Sequence, residues 1–178
     1  MTGETNMTGE SGPVEVSRAV AMVIAALFAL ACWNVLQILV SIFNTFQRRR
    51  GLYFWSMVIA TLGILLHALS TFLRYFALAP NLPMCVLICI GWYAMVTGQS
   101  VVLYSRLHLV TNYDCYSRWV LGMIIFNFCA LHIPTTVLFL GMNLDIESFV
   151  GPFAIYERIQ LAGFAAQETI ISGLYIWE

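Results

Sequence analysis

Glu168 is the residue of this chain whose type and position suit acid–base chemistry best. It is the only formal charge near the middle of a long apolar stretch, where an ionised carboxylate is costly to desolvate. An acid there could carry a proton, pair with a charged ligand or act as a general acid. The structural alternative is a protonated carboxyl bonded to an amide side chain. We favour the functional interpretation of this residue.

Four uncharged polar residues lie at a similar depth in the other apolar stretches. They are Asn34, Thr61, Thr97 and Asn127. At a helical rise of about 1.5 Å per residue, they and Glu168 share one layer slightly to the cytoplasmic side of the middle. If the helices turn these faces inward, the layer forms a connected polar interior. Interhelical hydrogen bonds that only stabilise the bundle are the alternative, and for the layer as a whole we favour them.

The sequence gives no support to several other chemistries. His67, His108 and His132 lack metal-binding spacing, and the five cysteines include no C-x-x-C pair, so we expect neither a metal site nor a disulfide framework. Without lysine, no Schiff base can form on a side chain, and we expect no cofactor. No basic patch with interleaved aromatic residues is present, so we expect no binding to nucleic acid.

Five apolar stretches must position the polar residues. They cover residues 19–43, 52–73, 84–104, 119–140 and 155–177. A bilayer core of about 30 Å needs roughly 20 helical residues. The chain is 61% hydrophobic and 10% charged, whereas soluble domains carry about 25% charged residues. The sequence therefore predicts an all-α bundle of five transmembrane helices whose main partner is the lipid bilayer.

The arginine distribution predicts how the bundle is oriented in its membrane. The loop between the first two stretches holds the triplet Arg48, Arg49 and Arg50. Arg106 and Arg118 lie between the third and fourth stretches, on the same side. Because cytoplasmic loops are enriched in basic residues, we expect the N-terminus outside and the C-terminus in the cytoplasm, in the plasma membrane or an endomembrane. The triplet is then a candidate contact for a cytoplasmic protein partner.

The N-terminal tail, residues 1–18, is expected to be an acidic segment outside the cytoplasm. It contains three glutamates before the first apolar stretch. It also contains the sequence Asn6-Met7-Thr8, a glycosylation acceptor pattern if the tail reaches a lumen. Asn6 is therefore a candidate glycosylation site.

Three segments resemble an uncharacterised family of integral membrane proteins from filamentous fungi. They are RRRGLYFWS at 48–56, TGQSVVLYSRLH at 97–108 and QETIISGLYIWE at 167–178. The likeness extends over nearly everything after the N-terminal tail. It implies a seven-helix, receptor-like layout in the secretory pathway or plasma membrane, and it implies no established activity or ligand. Since five stretches are present, we expect a truncated version of that layout.

Three functional hypotheses follow from the sequence. The first is a receptor-like or sensory protein that binds a small lipophilic ligand in its polar interior. The second is a small membrane enzyme on lipophilic substrates, cyclase-like, in which Glu168 protonates an alkene or epoxide. The third is a proton-coupled carrier or a structural subunit. An enzyme is less favoured, because no second carboxylate lies at the depth of Glu168; Glu157 is at the edge of its stretch.

Overall fold

The computed structural model describes residues 18–46, 51–110, 114–144 and 147–177, without the side chains of 108–110, 114–116 and 147. These residues form six α-helices: α1 Arg18–Thr45, α2 Leu52–Tyr75, α3 Asn81–Val110, α4 Asp114–Asn127, α5 Ile133–Asn143 and α6 Val150–Trp177. A π-helical turn, Phe128–His132, joins α4 to α5, and a 3-10 turn, Glu147–Phe149, precedes α6. The described part of the chain has no strand, which confirms the all-α class. Asn6 and the arginine triplet lie outside the described residues.

Within the described residues, four helical segments are long and apolar enough to cross a membrane. They are α1, α2, most of α3 and the joined α4–α5 segment, Ser117–Asn143. They indicate a multi-pass membrane protein. The 28 residues of α6 supply the necessary length, but Gln160, Gln167 and Glu168 lower its hydropathy and it is not among the four. The fifth crossing therefore stays a prediction.

Glycines bring α2 and α3 into close contact. A Cβ atom built on Gly91 would lie 2.6 Å from the backbone nitrogen of His67, and one on Gly63 would lie 2.7 Å from that of Met95. A Cβ on Gly98 would lie 2.9 Å from the Cβ of Ala60. Small residues allow such approach between membrane helices. The two helices form the tightest pair in the bundle, against which the other helices pack.

The first helix packs mainly against α2 and is peripheral to the rest. Only Val35 and Ile42 of its residues are buried. The rings of Phe28 and Phe72 stack with their centroids 4.4 Å apart. Most other apolar side chains of α1, including Trp33, remain exposed. In a bilayer, these side chains would contact lipid rather than protein.

A proline interrupts the fourth span, and a neighbouring helix compensates. In an α-helix the N–H of residue 134 would bond to the carbonyl of Ala130, but Pro134 has no N–H. The hydroxyl of Tyr156, on α6, donates to that carbonyl over 2.8 Å. The π-helical turn just before Pro134 ends at His132, whose side chain is wholly buried. This local change of helical geometry directs the histidine into the bundle.

Arginine side chains connect the helices at both ends of the α2–α3 pair. At the end of α2, Arg74 Nε donates to Asn81 Oδ1 over 2.8 Å, and its Nη2 donates to Asn143 on α5. At the opposite end of the pair, Arg106 Nε donates to the hydroxyl of Tyr53 over 3.0 Å. These contacts fix α2 relative to α3 and α5 near the two membrane surfaces.

Candidate functional site

His132 lies at the centre of a buried polar contact between three helices. Its Nδ1 is 3.0 Å from Nε2 of Gln160 on α6, and its Nε2 is 3.5 Å from Oγ1 of Thr97 on α3. Because an amide nitrogen donates, Nδ1 of the histidine accepts and the ring proton is on Nε2, towards Thr97. The neutral ring therefore joins α3 and α6 to the π-helical turn.

Aromatic rings enclose the histidine. The ring centroids of Tyr93 and Phe164 are each 4.7 Å from that of His132, and the centroid of Phe128 is 5.0 Å away. Thr136 Oγ1 donates to the backbone carbonyl of His132 over 2.8 Å and accepts from the hydroxyl of Tyr93. Both the ring and the backbone of His132 are thus held in place.

A second hydrogen-bonded group follows along the same helices. Asn127 Nδ2 donates to Gln167 Oε1 over 2.7 Å, and Gln167 Nε2 donates to Ser100 Oγ over 2.8 Å. Ser100 in turn donates to the carbonyl of Val96 over 3.1 Å. Gln167 follows Gln160 by seven residues, which is about two helical turns. A stripe of buried polar side chains therefore runs along the interface of α3 and α6.

The five residues of the sequence-predicted polar layer have different surroundings. Thr97 and Asn127 belong to the two buried hydrogen-bonded groups described above. Thr61 is buried but donates to the carbonyl of Met57 on its own helix over 2.7 Å. Asn34 is exposed on α1, and Glu168 is half-buried with no hydrogen bond to any described residue. The structure brings only Thr97 and Asn127 into the polar interface.

The five-residue layer predicted from the sequence does not include His132, Gln160 and Gln167, although the face that Gln160 and Gln167 share with Glu157 already indicated a polar interior. Gln160 and Gln167 are seven residues apart and therefore share one face of the helix. Glu168 was placed in the predicted layer because of its charge, but its neighbour Gln167 is the residue that is buried in the interface. Successive residues of a helix point in directions about 100° apart, which is enough to bury Gln167 and leave Glu168 half-buried.

A cavity of about 180 Å³ lies beside the histidine, between α2, α3, α5 and α6. Its wall combines aromatic and apolar side chains with a few polar groups, and its main lining residues are His67, Cys89, Trp92, Tyr93, Phe139 and Gln160. A cavity of about 150 Å³ inside a protein can hold benzene. Small-ligand sites are typically concave and mostly apolar, with a small number of placed polar groups. The cavity thus has the size and lining for a single-ring molecule.

Comparison with known proteins identifies a family but no activity. The family model for a "Domain of unknown function (DUF7703)" matches residues 11–178. No curated protein and no solved structure matches the chain. Among the described residues, no group of three or more His, Cys, Asp or Glu side chains could hold a metal ion. The chain belongs to the DUF7703 family.

Proposed function

We propose that this member of a family of unknown function is a receptor-like membrane protein that binds one small, largely apolar ligand beside His132. The observation that carries the proposal is the 180 Å³ cavity, whose aromatic wall adjoins a hydrogen-bonded polar group on three helices. Glu168, the acid that an enzyme or proton carrier would use, does not line this cavity. Ligand binding therefore fits the geometry better than catalysis.

The position of Gln160 supports a response to the ligand. Gln160 lines the cavity and also donates to His132, which contacts Thr97 on α3. A ligand that shifts the Gln160 amide changes the hydrogen bond to the histidine, and hence the packing of α6 against α3. The polar stripe continues from there through Ser100 and Gln167. Such a coupled interface suits a sensory protein with two arrangements of these helices.

The proposed arrangement in the membrane follows the sequence interpretation. We place the chain in a fungal plasma membrane or endomembrane, in the seven-helix layout that the resemblance implies, with α6 crossing the bilayer. The N-terminus is outside, and the triplet Arg48, Arg49 and Arg50 faces a cytoplasmic protein. A cysteine introduced at Gln47 is expected to react with an impermeant thiol reagent only after cells are opened. Labelling of intact cells at this position would contradict the orientation.

Single-ring probes and a cavity-filling variant test the binding proposal. The probes are benzylamine, benzyl alcohol, ethylbenzene and benzoate, added to the protein in detergent. Cys89→Phe fills the cavity, whereas Cys129→Phe makes the same change at an exposed position. A ligand at about ten times its dissociation constant stabilises the folded state by about 1.4 kcal/mol, which raises the unfolding temperature by a few degrees.

We expect at least one probe to stabilise the wild type and Cys129→Phe while leaving Cys89→Phe unchanged. That difference assigns the stabilisation to the cavity rather than to partition into the detergent. The binding proposal is wrong if no probe stabilises the wild type. It is also wrong if the three proteins respond alike to every probe.

A further inference from the structure

The hydroxyl groups around the cavity already donate their protons to hydrogen bonds within the protein. Thr135 Oγ1 donates to the carbonyl of Leu131 over 2.7 Å. Thr136 Oγ1 donates to the carbonyl of His132, so the hydroxyl of Tyr93 must be the donor in its bond with Thr136. What Thr135 and Tyr93 still offer to a ligand is therefore oxygen lone pairs.

The histidine on α2 also presents an acceptor. Its Nδ1 lies 3.2 Å from the carbonyl oxygen of Ile88, and a carbonyl can only accept. Nδ1 of His67 consequently carries a proton, and in the neutral ring Nε2 carries a lone pair. No described residue donates to that nitrogen, and His67 lines the cavity.

Gln160 supplies the most confined acceptor. Its side chain is 2% exposed, and its amide nitrogen is bonded to His132. The amide oxygen of Gln160 has no hydrogen-bond partner among the described residues. It is not fully enclosed either, because Thr71 Oγ1 is the only polar side-chain atom of those residues that is both fully enclosed and without a partner. Since Gln160 lines the cavity, we assign its oxygen to the cavity wall.

A negative charge lies at the same wall. Glu157 precedes Gln160 by three residues on α6, lines the cavity and makes no ion pair with a described residue. Trp92 adds an aromatic face, which attracts cations, whereas the ring centroid of Phe139 at the same wall already lies 5.6 Å from the guanidinium carbon of Arg74. The remaining donors at the wall are few: the indole N–H of Trp92, the thiol of Cys89 and the second amide hydrogen of Gln160.

We infer that the cavity takes a small organic amine, bound as its ammonium ion. The ammonium hydrogens bond to Gln160 Oε1, His67 Nε2 and the carboxylate of Glu157, and the hydrocarbon part lies against Trp92 and Phe139. An ammonium group has donors and no acceptors, so it matches a wall dominated by acceptors. The inference rests on the proposed function, because it names the class of ligand for the same cavity.

The four single-ring probes discriminate the ligand class, because they share a ring and differ in the attached group. Benzylamine is cationic, benzyl alcohol is a neutral donor, ethylbenzene has no donor, and benzoate is an anion. We expect benzylamine to bind at least about tenfold more tightly than ethylbenzene, with benzoate the weakest, because only the cation satisfies the acceptors and the charge of Glu157. Dissociation constants come from titrated thermal stabilisation of the wild type.

Variants at two neighbouring positions test whether the negative charge of Glu157 strengthens amine binding. Glu157→Gln should weaken benzylamine binding about tenfold and leave ethylbenzene binding unchanged, since it removes a charge and keeps the shape. Arg158→Gln is the matched control, an exposed neighbour outside the cavity wall, and it should not weaken benzylamine binding.

The outcomes separate the two proposals. Ethylbenzene or benzoate binding as tightly as benzylamine overturns the amine assignment, while the cavity still binds a ligand. Equal benzylamine affinity in Glu157→Gln and the wild type overturns it as well. If no probe binds, both the proposed function and the ligand class are wrong.

Discussion

Replacing Gly91 by leucine is expected to abolish the native packing of α2 against α3. A Cβ atom at this position would lie 2.6 Å from the backbone nitrogen of His67, and backbone atoms cannot rotate away as a flexible side chain can. Overpacking of a core usually costs about 1–3 kcal/mol, and we expect a value at or above the top of that range here. The change also displaces His67, so probe binding in the cavity should be lost.

Gly122→Leu is the matched control for this change. A Cβ atom on Gly122 meets nothing within 4 Å, because this position of α4 faces away from the described neighbours. Thermal unfolding and size-exclusion chromatography in detergent should show a destabilised or aggregated Gly91→Leu protein and a near-native Gly122→Leu protein. Equal unfolding temperatures for the two variants would contradict the proposed contact.

His132→Leu is expected to lower the free energy of unfolding strongly. Leucine cannot accept from Gln160 or donate to Thr97, so the buried Gln160 amide and the half-buried Thr97 hydroxyl lose their partner on this ring. Each buried polar group left without a partner costs about 1–3 kcal/mol. We therefore expect a loss of about 2–4 kcal/mol in unfolding free energy, measured by thermal or denaturant unfolding in detergent.

A second substitution distinguishes unsatisfied hydrogen bonds from a simple change of shape. In the double variant His132→Leu with Gln160→Leu, the amide that lacked a partner is gone, and replacing both partners by apolar groups can be nearly neutral. The double variant should be less destabilised than the sum of the two single variants by about 1 kcal/mol or more. Strictly additive losses would show that the histidine and the glutamine do not interact.

The four membrane-crossing segments could be predicted because an uninterrupted apolar stretch of about 20 residues is long enough to cross the hydrocarbon core. The third apolar stretch, residues 84–104, lies within α3, and the helix continues to Asn81 and Val110. These ends were not predicted, because a helix can extend past the hydrocarbon to where water and headgroups solvate polar side chains. The π-helical turn could not be predicted from the sequence either. Its neighbour Pro134 is visible in the sequence, but the hydroxyl of Tyr156 that bonds to Ala130 comes from another helix.

The candidate site was only partly predictable, because depth along a helix does not fix the direction of a side chain. Thr97 and Asn127, two members of the predicted layer, are hydrogen-bonded to other helices. Asn34 has a similar depth but is exposed, because α1 packs mainly on α2. The glycine contact at Gly91 depends on which faces of α2 and α3 meet, and no local pattern gives that pairing.

The reactivity of Cys89 shows whether a ligand occupies this cavity. Cys89 lines the cavity, and Cys129 is exposed on the outer surface of the membrane-crossing segment Ser117–Asn143, where it reports any effect of benzylamine on the reagent within the bilayer. Both reactions can be followed in one protein by mass spectrometry of its peptides. Methyl methanethiosulfonate, which modifies thiols, would be added to membranes with and without benzylamine. We predict that benzylamine slows modification of Cys89 several-fold and leaves Cys129 unchanged. Equal modification of Cys89 with and without benzylamine would contradict ligand binding in this cavity.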